Sequence, residues 1–250
     1  MALLIIAGCG GEKECRENSD CSAGSCFDVK CEDNKCIKTA QPDCCGNLMC
    51  ESEAGENSCN CKSDCKKPKC EGKFVVKERG SKKYYGEYLE YMCKDDKCML
   101  TFDEKSVKKI PLLSEKTINN VNLELGVTFN KPFDMTNDKV MIALTLKDYD
   151  QNKAKMPFTV KSIKIMDGDL LYGQTNTNKE LVQIGAGIKE SVPLTLDPES
   201  KEEEKSLTLK VDYEMTKINS KGEEELIRDS FVEKFSQKIF LIVTGEADLE

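Results

Sequence analysis

Cys15 to Cys36 reads C-R-E-N-S-D-C-S-A-G-S-C-F-D-V-K-C-E-D-N-K-C, and Cys44 to Cys65 reads C-C-G-N-L-M-C-E-S-E-A-G-E-N-S-C-N-C-K-S-D-C. With Cys70 these stretches place twelve cysteines in fifty-six residues and leave almost no apolar material between them. A segment that cannot bury enough carbon must be held by cross-links or by metal, so the spacing of its cysteines decides how it folds. The positions are Cys15, Cys21, Cys26, Cys31, Cys36, Cys44, Cys45, Cys50, Cys59, Cys61, Cys65 and Cys70, with no C-x2-C pair among them. Zinc sites and most iron–sulfur sites draw two ligands from one tight turn with that spacing, and zinc sites commonly add imidazole. The chain has no histidine. The spacing therefore predicts disulfides between small β-turns, with the connectivity left open. The alternative is a cysteine-rich metal-sequestering protein leaning on Cys44-Cys45 and Cys59-Asn60-Cys61.

Outward from this stretch, Phe74-Val75-Val76 and Tyr84 to Met92 read as strands. Cys93 and Cys98 flank Lys94-Asp95-Asp96-Lys97, a turn sequence, so Cys93 is expected to pair within its own hairpin module, with Cys98 or Cys70. The eleven cysteines from Cys15 to Cys65 are odd in number. One of them must therefore reach Cys70, Cys93 or Cys98 if all fourteen are bridged. The tyrosines and phenylalanine of this module are expected to form a packed mini-core, in preference to a carbohydrate platform.

All fifteen cysteines lie before residue 99, so the remainder must fold by ordinary burial. Val121, Leu123, Leu125, Val127 and Phe129 alternate with polar residues or glycine, as do Leu207, Leu209, Val211, Tyr213 and Met215, and Val140, Ile142, Leu144 and Leu146 repeat the period-two spacing. Phe158 and Val160 hand over to Ile163 and Ile165 with a one-residue slip, which predicts a bulge near Lys161-Ser162. Lys238 to Thr244 reads as a buried last strand. Turns are expected at Asn130-Lys131-Pro132, Asp167-Gly168, Asp197-Pro198 and Asn219 to Gly222. One apolar face per strand means antiparallel sheets packed face to face. The fold class is mainly β: disulfide-rich small modules followed by an antiparallel immunoglobulin-like β-sandwich. Its expected divisions are 1–9, a truncated signal segment with a lipobox; 10–14, a tether; 15–70, the disulfide-rich modules; 71–106, a small cysteine-containing hairpin module; and 107–250, the sandwich.

The formal net charge of −8, with lysines scattered among acidic neighbours, provides no basic field for nucleic acid. Without histidine a Ser or Cys nucleophile lacks its usual base, and no G-x-S-x-G or phosphate-binding glycine loop occurs, so no enzyme is expected. Glu51, Glu53, Glu56, Asn57, Asn60 and Asp64 place oxygens in the second cysteine cluster, with Glu51, Glu56, Asn60 and Asp64 as weak calcium candidates. Asp148 to Asn152 opens like a calcium loop but lacks the glycine and glutamate that complete one. Glu202-Glu203-Glu204 and Glu223-Glu224-Glu225 are expected to keep strand edges soluble. No further cofactor is implied.

Three resemblances add to this reading. The Cys15–Cys36 stretch resembles the short CTDC-type cysteine-rich repeats of slime-mould and bacterial surface proteins, matching in type at Asp20, Gly24, Cys26, Asp28 and Cys31, with Asp33-Asn34 taking the turn often filled by glycine. Cys45 to Cys65 resembles the C-G-N-G-x-C-E module of secreted prokaryotic proteins at Cys45, Gly46, Asn47, Cys50, Glu51, Gly55, Glu56, Asn57, Cys61, Asp64 and Cys65, with Cys44 and Cys59 as additions. Ile6-Ala7-Gly8-Cys9, after the apolar Ala2 to Ala7, resembles the lipobox of prokaryotic cell-surface lipoproteins. That resemblance implies that Cys9 carries lipid, and parity agrees, because setting Cys9 aside leaves fourteen cysteines for seven bridges. The function expected is that of a membrane-anchored, extracytoplasmic envelope lipoprotein, non-catalytic, recognising a protein or glycan partner.

Overall fold

The computed structural model describes residues 14–22, 26–66 and 69–247. Cys9, Gly24 and the segments 1–9 and 10–13 lie outside the described residues. The chain divides into two compact units, one gathering Met1–Glu71, Tyr91–Met99 and Glu246–Glu250, the other Gly72–Glu90 and Leu100–Gly245. Residues 71–106 are thus shared between them.

In the first unit, β1 (Phe27–Glu32) and β2 (Lys35–Ala40) form a hairpin across Asp33-Asn34, with Cys31 opposite Cys36. Both turn residues take positive φ, 53° and 63°, the mirror-image turn that matches strand twist and that Asp and Asn tolerate. Among the described residues of this unit every buried apolar one is a half-cystine: Cys15, Cys26, Cys61, Cys65, Cys70 and Cys98.

The hairpin stretch contains β3 (Gly72–Arg79), β4 (Lys82–Lys94) and β5 (Lys97–Thr101). Asp95 and Asp96 turn β4 into β5 with φ of 51° and 60°. The expected mini-core is only partly present here. Leu89 is fully buried, whereas Tyr84 and Tyr85 are exposed, with the Lys82 ammonium 5.3 Å from the Tyr84 ring centroid.

The second unit holds β6 (Lys108–Ile118), β7 (Val121–Lys131), β8 (Phe133–Asp134), β9 (Val140–Tyr149), β10 (Ala154–Asp167), β11 (Leu170–Leu181), β12 (Gly187–Val192), β13 (Glu202–Lys205), β14 (Thr208–Ile218), β15 (Glu224–Lys234) and β16 (Ile239–Ile242). A short last strand, β17 (Gly245–Glu246), follows and ends the order β17-β5-β4-β3. Two antiparallel four-stranded sheets, β12-β9-β7-β6 and β11-β10-β14-β15, enclose one core. Strand alternation produces that core directly. Val121 to Phe129 on β7 and Leu209 to Met215 on β14 each bury every second residue, as a half-buried strand must. At its centre the Phe158 and Tyr213 rings stack at 4.8 Å.

The bulge expected near Lys161-Ser162 is present, since the pairing of β10 with both β11 and β14 shifts between Val160 and Ser162. Asn130-Lys131-Pro132 is not a free turn, because β7 runs through Lys131 and a cis Lys131-Pro132 bond leads straight into β8. Lys238 to Thr244 supplies β16, which pairs antiparallel with β13 and parallel with β8 in a third sheet whose Phe133, Ile239 and Leu241 join the same core. The likeness to an immunoglobulin sandwich is one of architecture. Here β6, β7 and β9 run as a meander, and β12 returns to pair with β9.

One sandwich edge is closed. Glu190 on β12 accepts from Thr177 and, at 2.8 Å, from Lys179 on β11, and Thr195 N–H donates to the Tyr172 carbonyl at 2.7 Å. Gly173 permits that approach, because a Cβ there would sit 2.2 Å from the Pro193 carbonyl oxygen. At the other edge Lys116 on β6 meets Glu233 on β15.

Candidate functional site

All fourteen described cysteines are paired: Cys15–Cys31, Cys21–Cys36, Cys26–Cys44, Cys45–Cys61, Cys50–Cys65, Cys59–Cys93 and Cys70–Cys98. The first two interlace within the first cysteine stretch, and Cys45–Cys61 and Cys50–Cys65 interlace within the second. Cys44 and Cys59, the additions to the second resemblance, carry links outward, back to Cys26 and forward to Cys93. The parity argument is met by Cys59. The expectation that Cys93 pairs with Cys98 or Cys70 is overturned, because both hairpin sulfurs are taken by the loop from Cys59 to Cys70. A short sequence gap brings two cysteines near each other but does not aim their Cβ vectors, and a bridge needs both. Asn57 Nδ2 donating to the Asp96 carbonyl at 3.1 Å and Cys70 N–H donating to Ser58 Oγ at 2.9 Å hold that loop on the hairpin.

The four calcium candidates face protein hydrogens. Asp64 accepts from the N–H groups of Gly46 at 2.6 Å, Asn47 at 3.0 Å and Leu48 at 3.1 Å. Glu51 accepts from Asp43 N–H at 2.7 Å and Asn47 Nδ2 at 3.0 Å, and Glu56 accepts from Glu51 N–H at 3.0 Å. Asn60 Oδ1 accepts from Asn57 N–H, and its Nδ2 donates to the Gly55 carbonyl. Each of these four side chains is held within the cystine loops by at least one such bond. Burial would push the Asp64 carboxyl up, but the Gly46 and Leu48 amides outweigh it and hold the pKa below the usual carboxylate value. Asp148 to Asn152 forms the β9–β10 connection, with Asp150 accepting from Asn152 N–H at 2.9 Å.

Glu202 does not keep a strand edge soluble. It is 6% exposed, and its carboxylate accepts from three successive β4 amides, Glu87 at 2.6 Å, Tyr88 at 3.2 Å and Leu89 at 2.9 Å. Only glycine fits beside it, since a Cβ at Gly86 would lie 2.5 Å from Glu202 Oε2. The legible signal was Gly86 itself, an isolated glycine in a strand, which marks close approach of another group. Burial, with Glu87 and Glu202 nearby, pushes the Tyr88 hydroxyl up to about 12.

The sandwich carries one polar cleft of interest, on the outer side of β10-β14-β15, lined by Lys161, Asp212, Tyr213, Glu214, Arg228 and Asp229. Lys161, the unpaired residue of the β10 bulge, lies beside this row. Asp212 accepts from Ser162 Oγ and from Lys164 Nζ at 2.7 Å, and Glu214 from Arg228 Nε at 2.7 Å with Lys161 Nζ 3.8 Å away. Tyr213 Oη accepts from Asn119 Nδ2 at 2.9 Å. Burial opposes ionisation of Asp212, but its hydrogen bonds from Lys164 and Ser162 hold its pKa low, and Arg228 does the same for Glu214. The cleft thus offers fixed carboxylates beside an arginine and a lysine, donors and acceptors suited to a polar partner.

No protein-family model, curated protein or solved structure matches this chain. Seven disulfides mark a protein of an extracellular or otherwise oxidising compartment. Among the described residues no helix is long and apolar enough to cross a membrane.

Proposed function

We propose that this protein is an envelope lipoprotein, held to the membrane outside the cytoplasm through Cys9, whose sandwich recognises a protein or glycan partner without turning it over. The observation that carries the reading is the complete pairing of the fourteen cysteines from Cys15 to Cys98, which sets Cys9 apart from the disulfide framework. Ala7, Gly8 and Gly10 around it are the small neighbours of a lipobox, after the apolar Ala2 to Ala7. Recognition, not catalysis, fits a chain without histidine and a cleft in which Asp212 and Glu214 are already neutralised by lysine and arginine. A metal-sequestering role would need the paired thiols back in reduced form. A single acyl chain binds a membrane only marginally, so the anchor requires the two or three chains that lipoprotein processing attaches.

The test is Cys9→Ser in the full-length native gene product. The variant is expected in the soluble fraction with its seven bridges intact by non-reducing peptide mapping. A Cys9→Ser protein that still pellets with membranes and resists salt washing places the anchor elsewhere.

A further inference from the structure

The outer face of the β12-β9-β7-β6 sheet differs in character from the charged face of its partner sheet. Strand register aligns two rows across it, Pro111 with Thr128, Met141 and Ser191, and Leu113 with Gly126, Ala143 and Lys189. Leu113 is 74% exposed and Met141 47%, and Gly126 presents no side chain at all, so the middle of the face is flat and largely apolar along β6, β7 and β9, with Lys189 at its β12 margin. The ends carry opposite charge. Lys109 on β6 and Lys139 just before β9 lie at one end, and Glu115 on β6 and Asp148 on β9 at the other, where Glu124 and Lys147 neutralise each other. Lys109, Lys139, Glu115 and Asp148 are exposed, and none of them enters the ion pairs found among the described residues. Asp138, near the lysine end, is occupied by Asn130 Nδ2 and the Asp134 N–H.

From this pattern we infer that the face is a self-association surface whose occupant is a second copy of the same chain. A two-fold axis lying in the plane of the sheet and crossing the strands lays the lysine end of one copy over the carboxylate end of the other. The two apolar centres then meet. Such an isologous contact needs a self-complementary patch, and a strip with positive and negative ends provides one. The size sets its strength. Three strands about 4.8 Å apart with outer rows running over about nine residues, and β12 over six, at about 3.4 Å each, present roughly 540 Å² per copy. The pair would bury about 1,100 Å², at the lower limit for specific interfaces, so the dimer is weak and reversible. Copies concentrated on a membrane would meet far more often than copies in dilute solution. The inference does not depend on the lipid anchor, because the face acts equally in solution.

Sedimentation velocity on the oxidised, unlipidated full chain over a concentration series tests it. The weight-average mass should rise with concentration toward twice that of the chain. Leu113→Glu should weaken association at least about tenfold, since it places a charge at the centre of the contact. Glu115→Lys should weaken it by about threefold or more, and adding Lys109→Glu to Glu115→Lys should restore it to within about twofold, because the ends are then exchanged but still opposite. All these positions are exposed, and unchanged circular dichroism and thermal midpoint would confirm folding. A wild-type chain that stays monomeric to about 1 mM overturns the inference. So does association that Leu113→Glu leaves undiminished, which would point to pairing at a sheet edge.

Discussion

The two units solve the same problem by opposite means. In the sandwich, alternating strands bury Phe129, Phe133, Phe158, Ile163, Ile165 and their neighbours in one core, and no sulfur bond is present among its described residues. In the other unit the described buried apolar residues are all half-cystines, and five of the seven bridges close loops with sequence separations of 15 to 18. Each such loop is worth about 3 kcal/mol by removal of unfolded-chain entropy. Burying an aromatic or leucine side chain is worth about 1.5–3 kcal/mol. A bridge thus does roughly the work of one or two core residues, which is why a segment so poor in apolar residues can be ordered at all.

The sharpest way to break this contrast is reduction. With reductant, calorimetry should lose the transition of the cystine-bearing unit entirely while the sandwich transition remains. Loss of both transitions would mean that the sandwich depends on the sulfur bonds. Next in size, Phe158→Ala removes a fully buried ring stacked on Tyr213 and should cost about 3–5 kcal/mol by denaturant melting, with or without reductant. A cost that appears only in the oxidised protein would contradict the independence of the core.

Glu202 is a place where the sandwich unit relies on polar anchoring instead of carbon. Glu202→Ala leaves the amides of Glu87, Tyr88 and Leu89 without their acceptor and should cost about 3 kcal/mol, whereas Glu202→Gln keeps one acceptor oxygen and should cost less. Gly86→Ala should mimic the loss, because its methyl would occupy the position of the carboxylate. Equal stability of Glu202→Ala and wild type would show that water replaces the carboxylate at no cost.

These cases also mark how far the sequence could be read. Features set by local chemistry were legible: the turn at Asp33-Asn34, the alternation of β7 and β14, and the bulge at Val160/Ser162, where a phase slip in the apolar pattern is the bulge itself. The mainly β, disulfide-rich class followed from those features and from the cysteine spacing. What could not be read depends on side-chain direction across large sequence separations. Cys59 meets Cys93 over 34 residues, and Glu202 meets Leu89 over 113, and neither partner is singled out by its neighbours in sequence. The cleft residues Asp212 and Glu214 were legible only as polar positions on a strand and Arg228 not at all, because the register that lines them up is set by pairing between strands. The second cysteine cluster was read for calcium because oxygens were plentiful there. What sequence does not reveal is how many loop amides those oxygens must serve.

The smallest effect expected lies in that same loop and separates its hydrogen bonds from its covalent framework by pH. Asp64 accepts from three successive amides, Gly46, Asn47 and Leu48, and its folded pKa is depressed below the unfolded value of 3.8. A depressed carboxylate contributes stability that is present above its unfolded pKa and is lost as pH falls through the folded one. The disulfides are indifferent to acid, so the cystine unit should stay closed while this one turn loosens; the sandwich carries its own depressed carboxylates in Asp212 and Glu214. In an amide NMR titration, Gly46 and Leu48 should shift with a midpoint below 3.8. In Asp64→Asn the shift should vanish, leaving the seven bridges in place. A midpoint at or above the unfolded value would mean that the amides do not favour the charged form, and that the covalent framework alone sets the geometry of the loop.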